Sequence, residues 1–234
     1  MKKLITLVLG IAFVFGCTSN NNSDGDASTY NYSLGANITD IEGNSYPTIV
    51  TNCSNQTWMQ KNLNVSRFRN GDLIPQVTNS NTWTNLTTPA WCYYNNDPAN
   101  GPLYGKIYNW FAVNDPRGLA PVGYHIPTDA EWTTFTNCLG GQSLAGGKMK
   151  ETGYSHWLTP NTEASNISGF TGLPGGFRNT GNSFQEFGYY GNWWSSLGTS
   201  TYAIPRKLNY NTGSISIIDA YDLPDGFSVR CVKD

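Results

Sequence analysis

Charge is scarce in this chain. Only 13% of its 234 residues are Asp, Glu, Lys or Arg, where about 25% is usual. The formal net charge is −2 and no basic block or stripe interrupts the sequence, so the electrostatic footprint that nucleic-acid binding requires is missing. Two histidines, His125 and His156, rule out a three-histidine metal centre and disfavour a paired one; both are read as structural. No GxSxG elbow occurs, which removes the usual signature of a Ser-His-Asp hydrolase. The five cysteines form no CxxC knuckle. No apolar run approaches the roughly 20 residues needed to cross a bilayer. Glycosidase chemistry needs two carboxylates across a cleft. Glu131 is assigned to a helix cap, and Glu186, Asp219, Asp222 and Asp225 remain as candidates without a pattern that singles any of them out.

What the chain does have is aromatic surface, 14% of residues, set among Asn, Ser, Thr and Gly. This inventory suits a secreted, turn-rich protein, and the length allows one ordinary domain plus a tail. Lys2 and Lys3 precede the apolar stretch from Leu4 to Phe15, which ends in Gly16-Cys17. That order is an export signal, and FVFGC is similar to a lipobox, with Phe15 replacing the small or aliphatic residue usual before the glycine. The expected organisation is a signal peptide over 1–16, a lipidated Cys17 with a polar linker over 17–36, and a domain over 37–234. The linker, with Asp24 and Asp26, is too polar to fold.

Within the domain, Gly123 to Gly141 (GYHIPTDAEWTTFTNCLGG) predicts a helix with both ends marked. Thr128 and Glu131 make a capping box. Trp132, Phe135 and Leu139 recur at helical spacing to give an apolar face, and Gly140-Gly141 supplies the left-handed stop. The aromatic stripe is read as a core face. Ile107, Trp110 and Phe111 at i, i+3 and i+4 predict an earlier short helix over Lys106 to Val113. The remainder alternates short β-like runs with turn clusters: Ile38 to Ile41, Tyr46 to Thr51, Thr57 to Val65, Trp91 to Tyr94, and Ser214 to Ile218. Two short helices among many short antiparallel strands define an α+β class.

The motifs TDIEGNSY (Thr39 to Tyr46), QTWMQKNLN (Gln56 to Asn64), YGKIYNWFAVND (Tyr104 to Asp115), GYHIPTDAEW, SGFTGLPGGFR (Ser168 to Arg178), GNWWSS (Gly191 to Ser196) and GFSVRCVKD at Gly226 to Asp234 resemble the Fibrobacter succinogenes major paralogous domain. That domain is found mostly in bacterial surface lipoproteins, and the likeness spans Ile38 to Asp234. More distantly, IPTDAEW and GFSVRC resemble the formylglycine-generating, sulfatase-modifying enzymes, which implies a C-type-lectin-like core whose first and last strands come together. Those enzymes hold copper on a close cysteine pair near the C-terminus, where soft thiolates select Cu(I). Here that region contains only Cys231, so the oxidase chemistry is not expected.

Four cysteines remain beside Cys17. In an exported chain an even number predicts two disulfides among Cys53, Cys92, Cys138 and Cys231, with three pairings open; the lectin-like resemblance implies Cys138 with Cys231 and Cys53 with Cys92. Asn95, Asn96, Asp97 and Asn100 offer oxygen ligands to calcium, although turn chemistry explains the same residues. For ligand recognition the candidates are Tyr189, Tyr190, Asn192, Trp193 and Trp194, because rings and amides suit sugar C–H faces and hydroxyls. Alternation along a strand sends Trp193 and Trp194 to opposite faces, so one is expected in the core and one at the surface. The expected protein is a lipoprotein of the outer membrane whose domain binds a glycan or a protein partner without a cofactor. The rivals are an envelope enzyme, either a hydrolase or a degenerate formylglycine-generating relative, and a structural component of the envelope.

Overall fold

A computed structural model describes residues 32–181, 183–217 and 220–234. Cys17 and Asp219 therefore lie outside the described residues, as does Ile218 at the end of one predicted strand. The chain is mixed α+β, mostly short strands, with five short α-helices among the described residues. No helix there is long and apolar enough to cross a membrane.

One sheet has five strands in the order Tyr32–Leu34, Thr48–Thr51, Gln56–Met59, Val232–Lys233, Tyr124–His125. Early and late segments thus flank Gln56–Met59, pairing Ile49 with Trp58 and Val232 with Trp58. The second sheet runs Ile215–Ser216, Tyr202–Asn209, Tyr190–Gly198, Gly175–Arg178, Gly226–Phe227, Ile107–Asn109, Trp91–Cys92. Phe184–Phe187 pairs with Gly175–Arg178, and Tyr221–Asp222 with Tyr202–Asn209.

The helix Asp129–Cys138 forms where the capping box requires it. Thr128 Oγ1 accepts the Glu131 N–H at 3.2 Å and Glu131 Oε2 accepts the Thr128 N–H at 2.8 Å, while Gly140 and Gly141 close the end at φ 95° and 88°. Its apolar face lies on the first sheet: Trp58 meets Trp132 at 4.7 Å and Phe135 at 5.1 Å between ring centroids. The earlier predicted helix is only half helical. Ile107–Asn109 is a strand, and helix begins at Trp110 because Asn109 Oδ1 accepts the Ala112 N–H at 3.1 Å and caps Trp110–Val113. Asn109 is fully buried and also bonds Ala90 and Thr88, which holds it in the sheet.

The alternation of strand side chains separates two cores. Trp58 and Val232 point into a cluster with Trp132, Phe135, Phe170 and Trp193; their neighbours Met59 and Cys231 point into another with Tyr108, Trp194 and Phe227. Arg178 and Arg230 are buried without a carboxylate partner among the described residues. Arg178 donates to the Val77 and Thr78 carbonyls at 2.7 and 3.0 Å and lies 4.4 Å from the Trp83 ring. Arg230 donates to the Thr171 carbonyl at 3.0 Å and covers Phe170 at 4.0 Å. Carbonyl dipoles and ring faces offset part of the desolvation that burial of a cation incurs.

One disulfide joins Cys53 to Cys138, whereas Cys92 and Cys231 are free and buried. The implied pairings Cys138–Cys231 and Cys53–Cys92, and the expectation of two bridges, are corrected. The reason is the pleat: the helix packs on the Val232 side of its strand, so Cys138 and Cys231 are separated by the sheet itself. The stacking of Trp132 and Phe135 on Trp58 instead carries the helix C-terminus to the turn holding Cys53.

Candidate functional site

The strand Tyr190–Gly198 carries most of the residues singled out for ligand binding, and the structure divides them. Trp193 and Trp194 do face opposite ways, but both are buried, at 1% and 0% exposure, so the expected surface tryptophan does not exist. Trp193 lies edge-on to Phe170 at 5.3 Å and donates to Asn62 Oδ1 at 2.8 Å. Trp194 lies edge-on to Phe227 at 4.6 Å and donates to the Tyr108 carbonyl at 2.8 Å. From Gly191 to Ser195 the strand is covered on both sides, and beyond Ser195 it emerges. Asn192 is buried as well, and neither end of its amide has a hydrogen-bond partner.

Tyr189 and Tyr190 reach the surface. The tight connection after Phe184–Phe187 turns on Gly188 at φ 82°, leaving Tyr189 45% exposed. Its carbonyl accepts the Tyr210 N–H at 2.9 Å, and the Tyr210 ring meets it edge-on at 5.2 Å, so the exposed ring is held in place. Tyr190 lines a hollow of about 220 Å³ with Lys207, Asn209, Thr212, Ser214 and Ser216. Lys207 and Asn209 come from the facing strand Tyr202–Asn209, which pairs Asn209 with Tyr190, Thr212 and Ser214 from the turn beyond it, and Ser216 from the next strand, where it pairs with Lys207.

The electrostatics of the hollow are nearly balanced. Lys207 Nζ sits 3.9 Å from the centroid of the Tyr190 ring and 3.3 Å from Glu186. Glu186 holds φ 63°, a left-handed backbone unusual for a side-chain-bearing residue. The wall at Asn209 to Thr212 is fixed from behind by Lys150, whose Nζ donates to the carbonyls of Thr162, Asn209 and Thr212 at 2.8, 2.9 and 3.0 Å. Burial pulls the Lys150 ammonium down to about 8. Ring, amide and hydroxyl groups thus surround an already paired cation.

Sequence reasoning missed Lys207, Asn209, Thr212, Ser214 and Ser216. The signal available was the pattern YAIPRKLNYNTGS, a strand leading into a turn that can return beside Tyr190.

The other candidates serve the fold. Asp97 Oδ1 accepts the Ala99 N–H at 2.9 Å, while Asn96 and Asn100 donate to the Thr78 and Tyr94 carbonyls at 3.1 and 3.0 Å. Asn95 takes φ 53°. The loop that offers oxygens to calcium thus makes turn bonds of its own and one bond to Thr78, and among the described residues no three His, Cys, Asp or Glu side chains converge as metal ligands. His125 lies between Asp234 at 2.7 Å and Glu131 at 2.8 Å. Burial would lower its pKa, but the two carboxylates outweigh that and raise it. His156 bonds Glu151 at 2.7 Å. Burial pushes the Cys92 thiol up to about 12 and raises that of Cys231 as well; Cys92 sits in a third cluster with Trp83 and Ile107, apart from Cys231.

Residues 52–233 match the model of the Fibrobacter succinogenes major domain. The chain belongs to that family. No curated protein and no solved structure matches it.

Proposed function

We propose that this chain is an exported lipoprotein, held to the outer membrane by lipid on Cys17, whose C-type-lectin-like domain binds a carbohydrate at the Tyr190 hollow and the neighbouring exposed ring of Tyr189 without catalysing a reaction. The observation that carries the reading is the composition of the hollow: the Tyr190 ring beside an amide and three hydroxyl side chains, with its one cation paired to Glu186. Aromatic rings pack against sugar C–H faces, while amides and hydroxyls both donate and accept. Support for the lectin-like assignment comes from the motif resemblance and from early and late strands flanking Gln56–Met59. A binding rather than a catalytic role is favoured by the engagement of two of the candidate acids, Glu131 by Thr128 and His125, and Glu186 by Lys207.

A glycan array probed with the full-length protein in detergent tests the site. Tyr189→Ala and Tyr190→Ala should each reduce retention at least ten-fold while melting stays near wild type. An array that retains no glycan, or retention indifferent to both changes, rejects it. Intact mass of membrane-extracted protein tests the anchor: a diacylglyceryl increment should be present and should vanish in Cys17→Ser.

A further inference from the structure

The register of two strands sets four side chains at the corners of a square. Tyr190 pairs with Asn209 and Asn192 with Lys207; partners in register share a face of the sheet, as do residues two apart. Three of the corners, Tyr190, Asn209 and Lys207, line the hollow of about 220 Å³. The fourth, Asn192, lies on that same face, 1% exposed, and neither the oxygen nor the nitrogen of its amide has a hydrogen-bond partner among the described residues. Buried amides are nearly always paired. An unpaired one weakens the fold, whereas an apolar side chain of similar shape does not, so packing alone gives no reason for Asn at this corner.

Two further irregularities fall beside it. Glu186 holds φ 63°, a conformation that costs a side-chain-bearing residue free energy and that collects at ligand sites. Its Oε1 accepts from Lys207 Nζ at 3.3 Å, while Oε2, buried and equally far from the ammonium, accepts no hydrogen bond. Lys207 starts opposite Asn192 and ends over the Tyr190 ring, 3.9 Å from its centroid. The ammonium therefore occupies a ring face on which a sugar would rest. Lys207 is long and flexible, and its departure frees the ring at the corner that faces the unpaired amide.

The amide itself selects a partner. It offers an acceptor and a donor side by side, whereas a carboxylate or phosphate only accepts, and a lone hydroxyl reaches one end at a time. Two neighbouring hydroxyls of a sugar ring meet both ends, one donating to Oδ1 and the other accepting from Nδ2. Since Glu186 and Lys207 offset each other's charge, a charged sugar gains no net attraction. We propose that Asn192 is the specificity-determining residue of the carbohydrate site: Lys207 swings off the Tyr190 ring as the ligand enters, and an uncharged sugar places two adjacent unsubstituted hydroxyls on the Asn192 amide and a hydroxyl proton on Glu186 Oε2. This rests on carbohydrate binding at the Tyr190 hollow and names the class of sugar bound there.

The test takes the glycan that the full-length protein in detergent retains most strongly on an array, together with its monodeoxy and acetamido analogues. Asn192→Leu should melt at or above the wild-type temperature, because it removes an unpaired buried amide, and should reduce retention at least ten-fold. On wild-type protein, analogues altered at either hydroxyl of one adjacent pair should be retained at least ten-fold less; this measurement decides the point even if Asn192→Leu fails to fold. Lys207→Ala should keep retention within two-fold of wild type or raise it, since the lysine has only to leave. The proposal is overturned if Tyr190→Ala abolishes retention and Asn192→Leu does not, if no adjacent pair of hydroxyls is required, or if Lys207→Ala abolishes retention. It is overturned also if Asn192→Leu melts well below wild type with retention unchanged, the mark of an amide that only holds structural water. Retention that is absent, or indifferent to Tyr190→Ala as well, rejects the carbohydrate reading itself.

Discussion

Trp193 donates its indole N–H to Asn62 Oδ1 at 2.8 Å, and Arg230 Nε donates to the same oxygen at 2.9 Å. The Asn62 amide nitrogen in turn donates to the Tyr104 carbonyl at 2.8 Å and to Ser228 Oγ at 3.2 Å. One buried side chain thus joins the KNLN, NWW and SVRC motifs, which are far apart in sequence. Replacing it strands an indole N–H and part of a buried guanidinium, and each unsatisfied group costs about 1–3 kcal/mol, more when charged. Asn62→Ala should therefore lose about 3–5 kcal/mol in urea unfolding with the m-value unchanged; a loss under 1 kcal/mol would show that the hub is dispensable.

Both tryptophans of the NWW motif should behave as core residues. Trp193→Ala and Trp194→Ala are each expected to lower stability by about 3–5 kcal/mol, while Tyr189→Ala stays within about 0.5 kcal/mol, as exposed positions usually do. Urea midpoints of the three variants decide the point. A near-neutral tryptophan variant would contradict its burial.

Non-reducing peptide mapping should recover Cys53 linked to Cys138, with Cys92 and Cys231 alkylated only after unfolding. The linked residues are 85 apart in sequence, and a loop of that length restricts the unfolded chain by about 4.6 kcal/mol in the chain-entropy treatment. The double variant Cys53→Ser with Cys138→Ser should lose stability on that order. Recovery of a Cys92 or Cys231 bridge would overturn the assignment.

Asp225 gives a pH signature of known sign. Burial, together with the neighbouring Asp222 charge, pushes its carboxyl up to about 6 from 3.8. The folded state then holds the proton more tightly than the unfolded one, so the contribution is full below about 4 and is lost as pH rises through about 6. At 1.36 kcal/mol per pH unit the loss is at most about 3 kcal/mol. Measured at pH 4.5 and 7.5, wild type should lose about 2 kcal/mol relative to Asp225→Asn; equal changes in both would exclude the raised value.

The sequence alone determined the helix Asp129–Cys138, its capping box and its buried face of Trp132, Phe135 and Leu139, because those features depend on residues within a few positions of one another. Family membership was legible for the same reason, in motifs each confined to a short run. The neighbouring helix Gln142–Met149 was not. Two glycines in its interior argue against helix locally, at about 1 kcal/mol each, yet a β-carbon on Gly146 would run into the Ser214 carbonyl, and one on Gly147 into the Glu163 backbone. Close packing against distant segments selects glycine there. The fates of the candidate site residues were likewise decided by tertiary structure. Alternation correctly sent Trp193 and Trp194 to opposite faces, but what covers each face comes from Phe170 and Asn62 on one side and from Tyr108 and Phe227 on the other. The same holds for the cysteines, where the side of the sheet chosen by the helix set the partner of Cys138. It holds also for the hollow at Tyr190, which exists only because the strand Tyr202–Asn209 returns beside it. Periodicity states which way a side chain points; only the assembled sheets and helices state what it meets.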